Sequence, residues 1–592
     1  MGKGNRSRLN RASDILTETA PRTVSKNDKT KTITVIVSIL VAVLLIACLV
    51  LSYVVSSGVL VRSKTAVKSD NYRISGSLLT YYFYSQYQSF LSTYGSYASY
   101  FGLDTSKSLK SQSYSDNMTW YDYFMSSTAS QLVQIVALCE GARAEGIELD
   151  DDDKKAIDDT IKALEDYAKQ NNVTVSTFIA QYYGRGVTLS DIRKATEMST
   201  LASKYMKKIG EDFKAAVTDE EINKYVDDHK SSFLSANVLK YTFKAELKTE
   251  GAEATEAEAT IYEGAKSAMN ELAESLKAAA VGEDEFKAWM VNYLCGDLAV
   301  EKFNDAYAEQ SKSLVETDCP SEEVLDKART DVIAYLRDSM EGKESATAPT
   351  WPDTTYGEVL SKVVTSVYGT LVTNGYNTII SDGIAYSDPD AEGATELSKW
   401  LFNSERAVGD TFIDTTEGDS SSTYSVYYLT KTTHKSENIT VNAAHILVSA
   451  ATTAYDEGDE SQTERASEAA KKKAEEILAE YEAGEHTFEA FEALGKKYTE
   501  DSNVLYEDIK KGDMVEEFEN WIFDEARSEG DTGIVKTTYG YHVMFFKGRG
   551  DDEWLVDARN GVIDDKLAAW YEEAEKTYNI TCDASKLTFV DA

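Results

Sequence analysis

The longest apolar stretch of the chain runs from Ile33 to Val55 and contains no charged residue in its 23 positions. At a rise of about 1.5 Å per residue, a helix of this length crosses a hydrocarbon core of about 30 Å. Residues 1–32 carry eight basic and three acidic side chains, a net charge of +5, and the positive-inside rule places them in the cytoplasm. The pattern predicts a cytoplasmic tail over 1–32, a single transmembrane anchor over 33–55 and an extracytoplasmic remainder.

A cleaved signal peptide is a less favoured interpretation of the same segment. The apolar run exceeds the ~7–15 residues of a signal core, and no A-x-A cleavage site follows it. The run also contains the tetrapeptide LIAC, which ends at Cys48 and resembles a bacterial lipobox. Apolar residues rather than a polar tether follow Cys48, which favours an uncleaved anchor, and lipidation of Cys48 stays open beside it.

After the anchor, residues 68–235 show mostly helical periodicity. In DDDKKAIDDTIKALEDYAKQ, apolar residues fall on one face of an amphipathic helix at Ile157, Ile161, Leu164 and Ala168. Thr218 and Glu221 have the spacing of a capping box at the start of a later helix. The segment is also rich in tyrosine, and exposed aromatic side chains would suit extended apolar polypeptide. We predict a helical, chaperone-like domain over 68–235.

The end of the chain combines strand and helix periodicities. A β-type apolar run in NAAHILVSA is followed by two helical patterns, the second starting at Thr487. DMVEEFENWIFDEA is typical of a third helix, and GYHVMFFKG of a closing strand. The order β-α-α-α-β over about 105 residues predicts a compact α+β domain at 440–550. A last amphipathic pattern predicts a C-terminal helix and tail over 553–592.

One twelve-residue phrase occurs twice, as WLFNSERAVGDT from Trp400 and as WIFDEARSEGDT from Trp521. A tyrosine-containing strand pattern follows each copy. A repeat embedded in the same order of elements indicates a duplicated domain. Residues 236–435 are therefore predicted to share the fold of 440–550, with a long insertion. The fold class expected for the whole chain is α+β multidomain.

Composition narrows the functional classes. The chain has 100 acidic and 61 basic residues and a net charge of −39, whereas binding a phosphate backbone requires clustered Lys and Arg, so no nucleic-acid partner is expected. The five cysteines are scattered without a C-x-x-C pair, and no His, Asp or Glu cluster has metal-ligand spacing. Neither a metal nor another cofactor is expected. His229, His434 and His486 lie in polar contexts and are interpreted as surface residues.

Four segments of the last domain occur together in a recognisable order: AAHILV at Ala443–Val448, YTED at Tyr498–Asp501, GDMVEEFENWIF at Gly512–Phe523 and GDTGIVKTTYGYHVMFF at Gly530–Phe546. Their combination resembles the parvulin-type peptidyl-prolyl isomerases. The wider order of anchor, helical domain, isomerase-like unit and C-terminal helix resembles the PrsA-like foldases and SurA-related chaperones of bacterial secretion. The resemblance implies peptidyl-prolyl cis-trans isomerase activity outside the cytoplasm.

The resemblance also implies a catalytic site. Two histidines on adjacent central strands and an acidic neighbour map onto His445, His542 and Asp501. A pocket that grips proline maps onto Met514 and Phe518, with Thr537 as a hydrogen-bonding residue near the histidines. These residue types suit the reaction, because rotating an X-Pro amide breaks no covalent bond and requires a group that favours the twisted amide, beside an apolar pocket for the ring. The same histidines could also form a structural hydrogen-bond network.

Two departures from the family pattern bear on activity. The stretch DSNVLYEDIKKGDM has no glycine before Gly512, whereas many family members carry a Gly-Gly loop there. In the first copy, Lys240 or Tyr241 takes the place of His445, depending on the alignment, and Ser425 takes the place of His542. We therefore expect a degenerate parvulin-like domain over 236–435 without isomerase activity.

The leading expectation is a membrane-anchored foldase and chaperone of secreted proteins. Its expected partners are unfolded or newly secreted polypeptides with X-Pro bonds, the membrane through the anchor, and a second copy of the chain as a homodimer. The alternative is a non-catalytic tethered holdase that uses both parvulin-like units as binding platforms. A surface adhesion or scaffold protein would instead carry repeats that all bind one ligand, which the divergent first copy does not favour.

Overall fold

The computed structural model describes residues 59–247, 255–449 and 460–583. The predicted tail and anchor at 1–55 lie outside these residues. Within the described part of the chain, no helix has both the length and the apolar character needed to cross a membrane. The chain divides into two compact units, one formed by residues up to Ala216 together with those from Ile563 onward, and the other by Val217–Val562.

The first unit is mainly helical. Its helices up to Ala216 are α1 (Val59–Arg62), α2 (Gly76–Tyr94), α3 (Trp120–Ala144), α4 (Asp151–Gln170), α5 (Val175–Tyr182) and α6 (Leu189–Ala216). Its strands in this range are β1 (Thr65–Lys68), β2 (Arg73–Ser75), β3 (Ser113–Ser115) and β4 (Met118–Thr119). The predicted apolar stripe of α4 is observed, with Ile157, Ile161 and Ala168 buried. Short strands therefore accompany the helices that the periodicity predicts.

The second unit contains two four-stranded antiparallel sheets. Its helices are α7 (Asp219–Asp228), α8 (Lys230–Phe233), α9 (Glu256–Ala279), α10 (Glu283–Leu294), α11 (Asp297–Gln310), α12 (Glu322–Met340), α13 (Thr355–Tyr368), α14 (Glu396–Leu401), α15 (Glu460–Glu482), α16 (Phe488–Tyr498) and α17 (Glu516–Ile522). Its strands are β5 (Leu234–Glu246), β6 (Ile380–Ala385), β7 (Thr411–Thr416), β8 (Ser421–Lys435), β9 (Ile439–Ser449), β10 (Leu505–Ile509), β11 (Thr532–Thr537) and β12 (Gly540–Asp552). The capping box predicted from Thr218 and Glu221 begins α7.

The last described elements are α18 (Glu553–Thr577) and β13 (Thr581–Cys582). β13 pairs with β1, with Val67 opposite Cys582 and Lys68 opposite Thr581. The segment predicted as one C-terminal helix and tail over 553–592 thus contains a helix, and its last described strand completes the sheet β13-β1-β2 of the first unit.

The two sheets of the second unit have the same strand order. The first sheet has the strand order β6-β5-β8-β7, and the second has the order β10-β9-β12-β11. When the strands of each sheet are numbered along the chain, both orders are 2-1-4-3. Helices α9–α13 separate the first two strands of the first sheet, whereas α15 and α16 are the described helices between those of the second. The additional helices of the first sheet therefore lie between its first and second strands.

The repeated phrase forms the same turn in both sheets. α14 ends at Leu401 and α17 at Ile522, inside the two copies of the phrase. Gly409 and Gly530 then adopt φ of +96° and +90°, a region that side chains with a Cβ rarely adopt. Gly409 N–H donates to Leu429 C=O at 2.8 Å and Gly530 N–H to Phe546 C=O at 2.9 Å, which joins each turn to the fourth strand of its sheet.

The sheet β10-β9-β12-β11 has a core on each face. α15 and α16 pack on one face, around Ile446, Val543 and Phe491, and α17 packs on the other, around Phe518 and Met544. The predicted order β-α-α-α-β is incomplete, because β10 and β11 are also present. Both lie at the sheet edges. Edge strands pack on fewer neighbours and carry a weaker apolar pattern, which is why the sequence did not reveal them.

Candidate active site

The two central strands of the second sheet bring the predicted histidines together. On β9 and β12, His445 lies opposite Met544 and His542 opposite Leu447. Both imidazoles lie on the face that α17 covers, since residues two apart on a strand share a face. His542 Nδ1 and His445 Nδ1 are 3.0 Å apart, and the two residues are only 5% and 3% exposed. The pairing of the strands therefore places a buried pair of imidazoles in direct hydrogen-bond contact.

Thr537 and Asp501 extend this pair at its two ends. Thr537 Oγ1 lies 2.8 Å from His542 Nε2 and accepts a hydrogen bond from Tyr539 N–H at 3.1 Å. At the other end, His445 Nε2 lies 3.2 Å from Asp501 Oδ2. The structure thus joins four of the six predicted site residues in one continuous hydrogen-bond network.

The direction of the hydrogen bonds follows from the Asp501 carboxylate. An ionised carboxylate only accepts, so His445 donates through Nε2–H, and its Nδ1 must accept when the ring is neutral. His542 then donates through Nδ1–H, and its Nε2 accepts from the Thr537 hydroxyl. Every donor in the network points towards Asp501, and each imidazole nitrogen has one partner. Such an alignment strengthens each bond through polarisation of its neighbour.

Asp501 is the member of the network that reaches solvent, with its side chain 29% exposed. Its Oδ1 accepts from Ser502 N–H at 2.6 Å, and its Oδ2 accepts from the Tyr506 hydroxyl at 3.3 Å. The carboxylate is therefore held in place from several sides while one part remains open to a bound molecule.

Aromatic rings form the apolar wall of the site. The Phe518 ring on α17 meets His445 edge-on at 5.3 Å between centroids and His542 at 5.6 Å. Met514 is partly buried against the core cluster that contains Phe518. Tyr506 on β10 lies 5.3 Å from the His445 ring. Sequence reasoning missed Tyr506, and an aromatic residue five positions after Asp501 was the only available signal.

The glycine-poor loop forms an ordered strand. Leu505–Ile509 is β10, and it pairs with β9. Asp508 adopts φ of 55°, which Asp tolerates better than most residues, and its N–H donates to Asn442 Oδ1 at 2.8 Å. Asp508 thus takes a positive φ in a stretch that has no glycine before Gly512.

Burial keeps both imidazoles neutral. Loss of solvent, followed by repulsion from His542, lowers the pKa of His445 to about 4, although Asp501 opposes the change. Loss of solvent also lowers the pKa of His542. Burial by itself would raise the pKa of the Asp501 carboxyl, but the Ser502 N–H, the His445 ring and the Tyr506 hydroxyl hold it below its ordinary value. At neutral pH the site holds one carboxylate and two neutral rings.

These pKa values predict that the domain loses stability in mild acid. Between pH 6.5 and pH 4, His445 binds a proton in the unfolded chain but not in the folded domain. Its contribution to the free energy of unfolding is therefore complete above pH 6.5 and is lost as the pH falls towards 4. The drop in pKa corresponds to about 3 kcal/mol over that window. Hydrogen exchange of the Ile446 and Val543 amides, corrected for intrinsic rates, should show about 2 kcal/mol less protection at pH 5 than at pH 7.

The first unit supplies the control for this measurement, because all five histidines of the chain lie outside it. The amides of Leu132 and Val136 in α3 should therefore keep their protection from pH 7 to pH 5. Equal protection of the Ile446 and Val543 amides at the two pH values would contradict the neutral, buried histidine pair.

The first sheet lacks this network. Thr411 and Thr532 are the last residues of the two copies of the repeated phrase. Thr411 lies opposite Tyr428 in the first sheet, and Thr532 lies opposite Phe545 in the second, which aligns the two sheets. The same alignment of the two sheets places Lys240, opposite Tyr427, where His445 lies opposite Met544. Lys240 rather than Tyr241 therefore takes the place of His445. Ser425 takes the place of His542, and its hydroxyl lies 2.8 Å from that of Thr242. No imidazole is present at either position.

Residues 427–548 match the family model described as a PPIC-type PPIase domain. Residues 427–548 thus form a parvulin-type peptidyl-prolyl cis-trans isomerase domain. The matched region starts within β8 and contains the second sheet with its buried histidine pair. Across the described residues, no group of three or more His, Cys, Asp or Glu side chains is arranged to hold a metal ion.

A 1.70 Å crystal structure of the peptidylprolyl isomerase PrsA from Bacillus anthracis is similar to this chain, with 14% sequence identity. The similarity covers 49% of this chain and 100% of that chain, with a TM-score of 0.15. A TM-score this low supports no conclusion about the arrangement of the domains. No curated protein matches the chain.

Proposed function

We propose that this isomerase is a membrane-anchored extracytoplasmic foldase that isomerises X-Pro bonds of secreted proteins and holds their unfolded chains. The observation that supports catalysis most directly is the buried network of Thr537, His542 and His445, which ends on the partly exposed Asp501 beside the Phe518 ring. The anchor and the cytoplasmic tail are proposed from the apolar run at 33–55 and the basic residues before it.

The proposed chemistry is electrostatic. Amide resonance places negative charge on the carbonyl oxygen of the planar X-Pro bond, and twisting the bond removes part of that charge, at a barrier of about 18–20 kcal/mol. An anionic carboxylate beside the oxygen destabilises the planar state more than the twisted one, which lowers the barrier. Asp501 is the exposed anion of the site, and the two neutral imidazoles fix its position without neutralising it.

The apolar side of the site would hold the proline ring. Phe518 provides a flat wall against the two imidazoles, and Met514 lies in the cluster packed around it. A pyrrolidine ring has no N–H donor, so an apolar wall binds it without leaving a buried donor unpaired. Uncatalysed isomerisation takes tens of seconds or more, and a foldase with this site would shorten that step for its clients.

The first sheet is proposed as a degenerate parvulin-like domain without isomerase activity. Its strand order and its repeated turn match those of the second sheet, which supports a shared fold. Lys240 and Ser425 replace the two imidazoles, so the network that would carry catalysis cannot form there. We propose that this domain and the helical unit bind the unfolded client chain. If the second sheet were also inactive, the same architecture would be a tethered holdase.

The cis-trans isomerisation rate of a prolyl tetrapeptide distinguishes the foldase from the holdase. The full chain in detergent should accelerate the reaction, and Asp501→Asn should reduce kcat/KM at least about 100-fold, since it removes the negative charge and keeps the shape. Asp564→Asn, an exposed position on α18, is the matched control and should leave the rate unchanged. A folded full chain that does not accelerate the reaction would eliminate the foldase and leave the holdase.

A further inference from the structure

The first sheet has a strand edge that the described residues leave partly unpaired. β6 pairs with β5 from Ser235 to Leu239, and Lys240 N–H donates to Ile379 C=O at 2.6 Å. From Tyr241 to Lys244, β5 pairs with β8 on one side. No described residue pairs with the other side of this stretch.

The direction of the backbone groups follows from Lys240. Its N–H points towards β6, away from β8, and backbone groups two and four residues further along an antiparallel strand point the same way. The N–H and C=O groups of Thr242 and Lys244 therefore face the open side of β5. Main-chain groups presented in this way are a template for pairing with another chain.

The second sheet shows what this fold places along the same edge. The counterparts of Thr242 and Lys244 are Leu447 and Ser449, by the alignment that matches Lys240 with His445. Leu447 N–H donates to Thr499 Oγ1 at 3.2 Å, its C=O accepts from Glu500 N–H at 2.9 Å, and Ser449 N–H donates to Glu500 Oε2 at 3.2 Å. In the active domain, a segment of the chain itself satisfies these groups.

In the first domain a cavity of about 540 Å³ lies along the open edge instead. Residues 240–244 of β5 line it, and helices α9–α11 contribute the partly buried apolar side chains of Met269, Tyr293 and Leu298. A volume of this size is within the range of ligand-binding pockets. The cavity is therefore suited to receive side chains from a segment that pairs with β5.

We propose that the open edge of β5 and this cavity bind an extended segment of client polypeptide as an added strand. Main-chain hydrogen bonds to Thr242 and Lys244 would supply affinity for any extended sequence, and the cavity would select an apolar side chain. The site requires no proline. The proposal rests on the proposed foldase function for the nature of the client, and its residues are separate from those of the isomerase site.

Hydrogen exchange on the unmodified full chain in detergent tests this site directly. The probe is a fluorescein-labelled, proline-free decapeptide in which valine alternates with serine. At saturating peptide, the Thr242 and Lys244 amides should exchange at least tenfold more slowly than without peptide, and the amides of α3 should not change. Unchanged exchange at Thr242 and Lys244 at saturating peptide would overturn the proposal.

A matched pair of variants tests the role of the backbone donor. Lys244→Pro removes the N–H that faces the open edge and leaves the bonds to β8, whereas Lys244→Ala removes only the side chain. The proline variant should weaken binding of the decapeptide at least tenfold, measured by fluorescence anisotropy, and the alanine variant less than twofold. Equal affinities of the two variants would contradict strand addition.

Isomerase activity separates this proposal from the proposed function. Lys244→Pro should retain the prolyl tetrapeptide rate of the unmodified chain, and unchanged hydrogen exchange of the Val426 amide on β8 would show that the first sheet is folded. Conversely, Asp501→Asn should lose isomerase activity and bind the decapeptide unchanged. Loss of decapeptide binding in Asp501→Asn would place the peptide at the isomerase site and overturn the β5 assignment.

Discussion

His542→Ala is expected to lower kcat/KM for a prolyl tetrapeptide by about 100-fold, which corresponds to about 2.7 kcal/mol of transition-state stabilisation. The substitution removes the central member of the network. The Thr537 hydroxyl loses its acceptor and His445 Nδ1 loses its donor, so both are left buried without these partners. Without its hydrogen bond from His542, the His445 ring is less firmly oriented and holds Asp501 less firmly in position.

The same substitution should also weaken the fold, because each buried polar atom left unpaired costs about 1–3 kcal/mol. Activity must therefore be compared at equal folded fractions, determined by hydrogen exchange of the β9 and β12 amides. His486→Ala is the matched control, since His486 is an exposed histidine of the same domain whose ring bonds to the Glu482 carbonyl. A His542→Ala protein that stays folded and is as active as the His486→Ala protein would show that the network is structural.

Phe518→Ala is expected to have the second large effect, on both stability and substrate binding. Phe518 is 3% exposed, and its ring covers the edges of both imidazoles. Truncating a buried Phe to Ala costs about 3–5 kcal/mol, because the cavity that forms does not fully collapse. It also opens the imidazole pair to water, which raises the pKa of His445 from about 4 towards that of an exposed histidine. We expect KM for the prolyl peptide to rise more than tenfold.

Phe491→Ala separates these two effects. Phe491 is 0% exposed and lies on the opposite face of the same sheet, among the residues packed under α15 and α16. The Phe491→Ala variant should lose about as much stability as Phe518→Ala. The folded fraction of Phe491→Ala should have the same KM as the unmodified protein. If both variants lowered activity only in proportion to the unfolded fraction, Phe518 would be a core residue without a part in binding proline.

Much of the active domain was predictable from the sequence. The three segments around His445, Asp501 and His542 are short and contiguous, so their spacing could be recognised without knowledge of the fold. Thr537 was placed beside the histidines for the same reason. Tyr506 could not be placed, because its contact with Asp501 depends on β10 pairing at the sheet edge, and the LYEDI pattern by itself does not indicate a strand.

The sequence by itself determined the repeated phrase and the residue types of the candidate site. Local periodicity, turn glycines such as Gly409 and Gly530, and the replacement of a histidine by Ser425 are properties of neighbouring residues, and the chain order displays them directly. Only the tertiary structure decided that Lys240 takes the place of His445, that all donors of the network point towards Asp501, and that β5 has an open edge. These features depend on which strands become neighbours and in which register, and a shift of one residue would move every side chain to the other face of its sheet.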